Sequence, residues 1–196
     1  MDKLNDQYYI NLVLEGNTNA FAELVNRYKD LVFTLSLKVL QNREEAEEAA
    51  QDTFVKIFKS LDKFKGESKF STWIYKITYN NCLDRLKKQK RIRPVVAINE
   101  FTEHEVKSLM NVLDTIEDNE RKQMIKSCLD LLPPEESFLL TLYYFNENSL
   151  KEIAEVMGIN ENNVKIKLYR SRKKLTGILK AKLEPEIIDQ YEKQGR

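Results

Sequence analysis

The stretch from Ser149 to Leu175, SLKEIAEVMGINENNVKIKLYRSRKKL, is the one on which the fold turns. Ser149 with Glu152 three residues later is a capping box, and Leu150, Ile153, Ala154 and Met157 then recur at helical spacing until Gly158 offers a left-handed stop. Asn160 can cap a second helix whose inner face reads Val164, Leu168 and Leu175, with Ile159 and Val164 plugging the joint between the two. Lys165, Lys167, Arg170, Arg172, Lys173 and Lys174 take the other sides of that helix. The spacing predicts a helix-turn-helix. A basic helical hairpin can be no more than a solvated surface. Residues 164–183, however, hold eight Lys or Arg and no Asp or Glu, and charge of that density without balance expects a polyanion.

Working back toward the N-terminus, Pro133 and Pro134 stop one helix, with Met124, Ile125, Cys128 and Leu132 on its stripe, and start another carrying Phe138, Leu139, Leu142 and Phe145. The Asn146-Glu147-Asn148 loop then leads into the helix pair. Upstream, residues 94–118 show no sustained period and are rich in acids, which reads as a flexible linker, with a short helix near Glu105 to Leu113; Pro94 marks its start. The rear module therefore spans 119–183, followed by a tail at 184–196. In the front module, 1–93, Phe21, Leu24, Val25, Tyr28, Leu31, Val32 and Leu35 form one face of a long helix from Asn19 to Leu40. Asn42 with Glu45 opens the next helix, running to about Leu61, and its outer face is acidic. A third helix from Ser71 to about Gln89 points Phe70, Trp73, Ile74, Ile77 and Leu86 inward, and places Thr72, Lys76, Tyr79 and Asn80 on the opposite stripe. The plain alternative is that Trp73 and Tyr79 are core aromatics.

The 196 residues carry a net charge of only +1, with 5 Gly and 4 Pro, which favours helices over turn-rich sheets. That near-neutral charge hides two basic blocks, since residues 61–93 sum to +7. Cys82 and Cys128 are isolated and His104 is the only histidine, so no metal site, cofactor or Cys–His pair is expected, and both thiols read as reduced. With no apolar run approaching the roughly 20 residues that cross a bilayer, a soluble cytoplasmic protein without membrane insertion is expected.

Three stretches resemble bacterial RNA polymerase sigma factors of the small extracytoplasmic-function group: NREEAEEAAQDTFVKIFKSL at 42–61, FKGESKFSTWIYKITYNNCLDRLKK at 64–88, and LPPEESFLLTLYYFNENSLKEIAEVMGINENNVKIKLYRSRKKL at 132–175. The resemblance implies an all-α fold of two small helical domains, the second with the helix-turn-helix. It implies that 1–93 binds core RNA polymerase and opens the minus-ten element, and that 119–183 reads the minus-thirty-five element as duplex. Glu47, Glu48, Gln51 and Asp52 are then the contacts to the clamp coiled coil of the largest subunit; the polymerase flap is a further partner. Phe64, Lys65, Ser68, Thr72, Trp73, Lys76, Tyr79 and Asn80 become the single-strand minus-ten set, an amide and an aromatic wall being what a flipped base requires. Asn163, Lys165, Ile166, Tyr169 and Arg170 become the duplex set, with Arg172 and Lys173 on phosphate. An anti-sigma factor is the implied regulatory partner. No catalytic residue is implied; a stand-alone helix-turn-helix repressor or activator is the alternative function.

Overall fold

The computed structural model describes residues 5–88 and 125–182, every element of which is helical. Contacts divide the chain into two compact units, the first mainly Met1–Arg91 and the second mainly Ile92–Ala154 and Ile159–Arg196. The expected linker, its short helix and the C-terminal tail lie outside the described residues.

In the first unit, α1 (Asp6–Leu14) starts at Asn5, whose side chain accepts the Tyr8 N–H at 3.1 Å. The sequence reading passed over this helix. A 3₁₀ turn at Thr18–Ala20 then leads into α2 (Phe21–Leu40), so the long helix expected from Asn19 begins two residues later. Gln41 closes α2 in the left-handed region at φ 53° and donates its N–H to Leu37 at 2.8 Å, a cap that an amide side chain tolerates better than a β-branched one. Asn42 returns to extended backbone and accepts the Glu45 N–H at 2.9 Å, opening α3 (Arg43–Lys59). Helix α3 stops short of Leu61, which instead opens a second 3₁₀ turn, Leu61–Lys63, and Phe64 follows in extended backbone.

Helix α4 (Phe70–Lys88) packs against both α2 and α3, and this sandwiching decides which of its residues can meet a ligand. A helix with one neighbour buries one stripe; one with two neighbours buries most of its circumference. Thr72, Tyr75, Thr78, Tyr79, Asn81 and Cys82 are buried along with Phe70 and Ile74, so Thr72 and Tyr79 belong to the core and not to the strand-facing stripe where the sequence put them. The α3–α4 seam is tied by Asn81. Its amide donates to the Ala49 carbonyl at 3.0 Å and to Thr53 Oγ1 at 3.1 Å, and its Oδ1 accepts from Lys56 Nζ at 2.5 Å. A buried amide satisfied on both ends rigidifies the pairing of the two helices and helps to fix their register.

Cys82 is fully buried, and burial pushes its thiol from an ordinary 9.0 up to about 11, against the opposing pull of Ser36, Arg85 and Lys56. A thiol whose pKa is higher folded than unfolded contributes stability that is whole below about pH 9 and is lost as pH rises toward 11. Thermal unfolding followed from pH 8 to 11 should show a loss of about 2 kcal/mol that Cys82→Ala removes. An identical alkaline slope in both proteins would rule the thiol out as its source.

In the second unit a helical segment at 125–129 is followed by Leu132 and the Pro133-Pro134 step into α5 (Pro134–Tyr144). Ser137, Phe138, Leu139, Leu140, Thr141 and Leu142 are all buried, which makes α5 the centre of this unit, enclosed on more sides than the single expected face. Glu147 takes a left-handed φ of 52° in the following loop. Helix α6 (Leu150–Met157) begins with the complete capping box: the Glu152 carboxylate accepts the Ser149 N–H at 2.8 Å, and Ser149 Oγ accepts the Glu152 N–H at 3.2 Å. Gly158 has a φ of 67°, as the left-handed stop requires, and Ile159 donates back to the Ala154 carbonyl at 3.1 Å. Asn160 caps α7 (Glu161–Lys182) by accepting the Asn163 N–H at 2.8 Å. Val164, Leu168, Ser171, Leu175, Ile178 and Leu179 form the buried stripe of α7, which packs on α5.

Candidate nucleic-acid and polymerase interface

The exposed positions at the start of α7 form a surface with a distinct chemistry. Asn163, Lys165, Ile166, Tyr169 and Arg170 are all exposed, Ile166 by 50% and Tyr169 by 45%, unusually high for large apolar side chains. Asn163, Ile166, Tyr169 and Arg170 sit at three- and four-residue intervals, so amide, aliphatic, phenol and guanidinium share one stripe beside Lys165, a mixture suited to base edges and phosphate in a major groove.

Part of the charge further along α7 is balanced, where the sequence suggested none was. Lys167 Nζ pairs with Glu135 at 2.8 Å, and Lys174 pairs with Glu136, both acids lying in the first turn of α5. Arg172 does not project free toward phosphate either: its guanidinium carbon lies 5.0 Å from the Tyr143 ring centroid and 5.4 Å from that of Tyr144. The physical reason is the same in each case. These residues face α5 across the helix pair, and acids and aromatic faces separated by about thirty positions in sequence become their nearest neighbours. Lys173 is half-buried and Arg170 exposed.

In the first unit, Glu47, Glu48, Gln51 and Asp52 are exposed on α3, as expected. Three are already engaged. Arg85 of α4 reaches across to Glu48 at 3.1 Å and to Asp52, while Arg43 pairs with Glu47 at 3.0 Å. Arg85 counts toward the +7 of residues 61–93, and the fold turns it onto the acidic strip. Next to that strip, Val55 is 52% exposed and Phe58 42%, which the sequence reading did not single out. The signal was present: Gln51, Val55 and Phe58 follow at intervals of four and three, putting apolar residues on what is otherwise a polar face.

The stripe Trp73, Lys76 and Asn80 does face outward on α4, with Asn80 exposed and the other two half-buried. Trp73 is both core and surface. It stacks on the buried Phe70 at 5.7 Å between centroids, and Phe64 closes on both, at 5.1 Å from Phe70 and 5.5 Å from Trp73. Phe64 and Trp73 thus make a half-exposed aromatic wall over a buried ring, with Lys65 exposed and Ser68 half-exposed in the loop between them. Among the described residues, no group of His, Cys, Asp and Glu could hold a metal ion, and no helix is long and apolar enough to cross a membrane.

A fold of two helical units, one ending in a helix-turn-helix with a basic and apolar exposed face, defines a DNA-binding transcription protein. Residues 24–92 match the Sigma-70 region 2 family and residues 122–175 match Sigma-70, region 4. The chain is similar to the sigma factor SigW of Bacillus subtilis, at 33% identity over 85% of this chain and 92% of the relative. It is also similar to the sigma-E factor of Haemophilus influenzae, at 27% identity over 94% and 98% respectively. Two solved structures share the fold: CnrH in complex with the cytosolic domain of CnrY (22% identity, TM-score 0.63, covering 91% of this chain and 99% of that one), and the Bartonella quintana sigma factor RpoE with the anti-sigma factor NepR (18%, TM-score 0.60, 83% and 98%). The chain belongs to the extracytoplasmic-function RNA polymerase sigma factors. It is a non-catalytic factor that directs RNA polymerase to promoters, rather than a repressor or activator working alone.

Proposed function

We propose that the two units divide promoter recognition. Residues 1–93 dock on the polymerase clamp and capture bases of the melted minus-ten strand; residues 119–183 read the minus-thirty-five duplex. The observation that carries the duplex half is the exposed stripe at the start of α7, where none of the described residues covers Asn163, Lys165, Ile166, Tyr169 or Arg170. Arg170 and Lys173 set position on phosphate, and Lys165 and Ile166 address base edges. Arg172, Lys167 and Lys174 hold the helix in place instead. For the strand half, the reading set reduces to Phe64, Lys65, Ser68, Trp73, Lys76 and Asn80, since Thr72 and Tyr79 are buried. A base leaving the duplex would stack on the Phe64–Trp73 wall while Asn80 bonds its edge.

On α3 the docking face comprises Glu47, Glu48, Gln51 and Asp52 together with Val55 and Phe58, an acidic rim beside an apolar patch, which suits a basic coiled coil. Both solved relatives named above were captured with protein partners, one of them an anti-sigma factor. By that likeness this chain is held inactive by an anti-sigma factor.

The test of the duplex half is a scan of single-base variants of the minus-thirty-five element against Lys165→Ala holoenzyme. Discrimination at one base pair should fall by about tenfold, the loss of one good base contact, while the other positions keep their ranking. An unchanged profile at every position would remove Lys165 from the reading set.

A further inference from the structure

Helix α1 has no part in the contacts assigned so far, and it lies outside the residues matched by the region 2 family, which begin at 24. It is nonetheless fastened with care. Asp6 in its first turn accepts Tyr28 OH at 2.5 Å through one carboxylate oxygen and Arg27 Nη1 at 3.1 Å through the other. Arg27 in turn lies over the Tyr9 ring at 4.7 Å. One carboxylate thus binds two consecutive residues of α2, and a guanidinium is shared between α1's acid and its aromatic. Burial and the neighbouring Asp6 carboxylate push the Tyr28 phenol far above its ordinary value, so it keeps its proton and remains a donor.

What Tyr28 touches next gives this clasp its meaning. Its ring packs edge-on against Phe70 at 5.6 Å, and Phe70 is the buried ring on which Phe64 and Trp73 stand. A second route reaches the same place. Ile10 and Val13 of α1 enter the core cluster that contains Leu61 and Phe70, with Phe64 and Trp73 packed against it, and α1 also packs on the Leu61–Lys63 turn that delivers Phe64. The hydrogen-bonded and the apolar faces of α1 converge on the floor of one surface feature.

We propose that α1 is a brace for the strand-capture wall, and that Asp6 is a positioning residue which, through Tyr28, holds Phe70 and so sets the placement of Phe64 and Trp73 for an unpaired base. The inference rests on the base-capture reading above. It does not require α1 to touch DNA.

Trp73 is the only tryptophan, so its emission reports the wall directly. In the free protein, Asp6→Ala should shift that emission to the red and raise its quenching by acrylamide. Asp6→Asn, which keeps an acceptor for Tyr28, should stay near wild type. In holoenzyme, Asp6→Ala should weaken binding of a single-stranded minus-ten oligonucleotide about fivefold, Tyr28→Phe should do likewise, and the double variant should be no worse than either alone. Association with core polymerase and binding of minus-thirty-five duplex should not change. If Asp6→Ala loses helicity, Tyr28→Phe carries both measurements. Support requires both readouts to move. Emission unmoved, or strand binding unmoved, overturns the brace. Trp73→Leu separates the two levels: wild-type strand binding by that variant would sink base capture itself, whereas its loss with Asp6→Ala unaffected would sink only the brace.

Discussion

Glu48→Lys combined with Asp52→Lys is expected to weaken association with core RNA polymerase on the order of a hundredfold, because like charge set against a basic partner costs several kcal/mol. The geometry makes the effect sharper than a count of exposed acids suggests. Arg85 holds both carboxylates from α4 and is itself only 23% exposed, so they are fixed in place before any partner arrives. Preorganised charge loses less entropy on docking than charge on free rotors. The apolar neighbours Val55 and Phe58 supply contact area that the acids alone lack. Reversal also removes Arg85's partners, so the measurement belongs with a melting curve, and Glu23→Lys, an exposed reversal on α2, is the matched control. If the double variant binds core polymerase as tightly as wild type at low salt, the face is not the docking site.

Asn80→Ala combined with Trp73→Leu is expected to reduce open-complex occupancy about thirtyfold, since base stacking on one aromatic is worth about 1–3 kcal/mol and the amide contact adds to it. The leucine keeps apolar volume over Phe70 while deleting the stacking plane, which separates lost recognition from lost packing. Permanganate reactivity of minus-ten thymines reads the opening, and retention on minus-thirty-five duplex reads the other unit. Equal loss of both would mean that the substitutions damage the protein rather than the capture of a strand. Asn81 gives a useful contrast one residue on. Its amide is buried and bonded to Ala49, Thr53 and Lys56, so Asn81→Ala should lower the melting temperature rather than act on DNA selectively.

Local signals in this chain were legible wherever a helix end or a single buried stripe was at stake. The Ser149–Glu152 box, the Gly158 stop, the Asn42 and Asn160 caps and the Pro133-Pro134 step are decided by residues within four positions of one another, and each takes the form its spacing predicts. Helix α1 was passed over although Asn5 caps it in the same manner, because a nine-residue helix with two buried residues gives too short a period to stand out.

Which face of a helix meets a ligand is a different kind of question. Periodicity assigns one inner stripe, and for α3 and the start of α7 that was sufficient to leave Glu47, Glu48, Gln51, Asp52, Lys165, Ile166 and Arg170 outside. For α4 it was not, since packing against α2 and α3 together buries Thr72 and Tyr79 on what looks from sequence like the open side. Charge behaved likewise. The sequence determined that cations crowd residues 61–93 and 164–183, but only the tertiary structure decided that Arg85 faces Glu48 and Asp52, that Lys167 and Lys174 face Glu135 and Glu136, and that Arg172 lies over Tyr143 and Tyr144. A side chain's period is a property of its own helix, whereas its partner comes from whichever helix packs alongside, and Coulomb attraction depends on that distance rather than on separation along the chain.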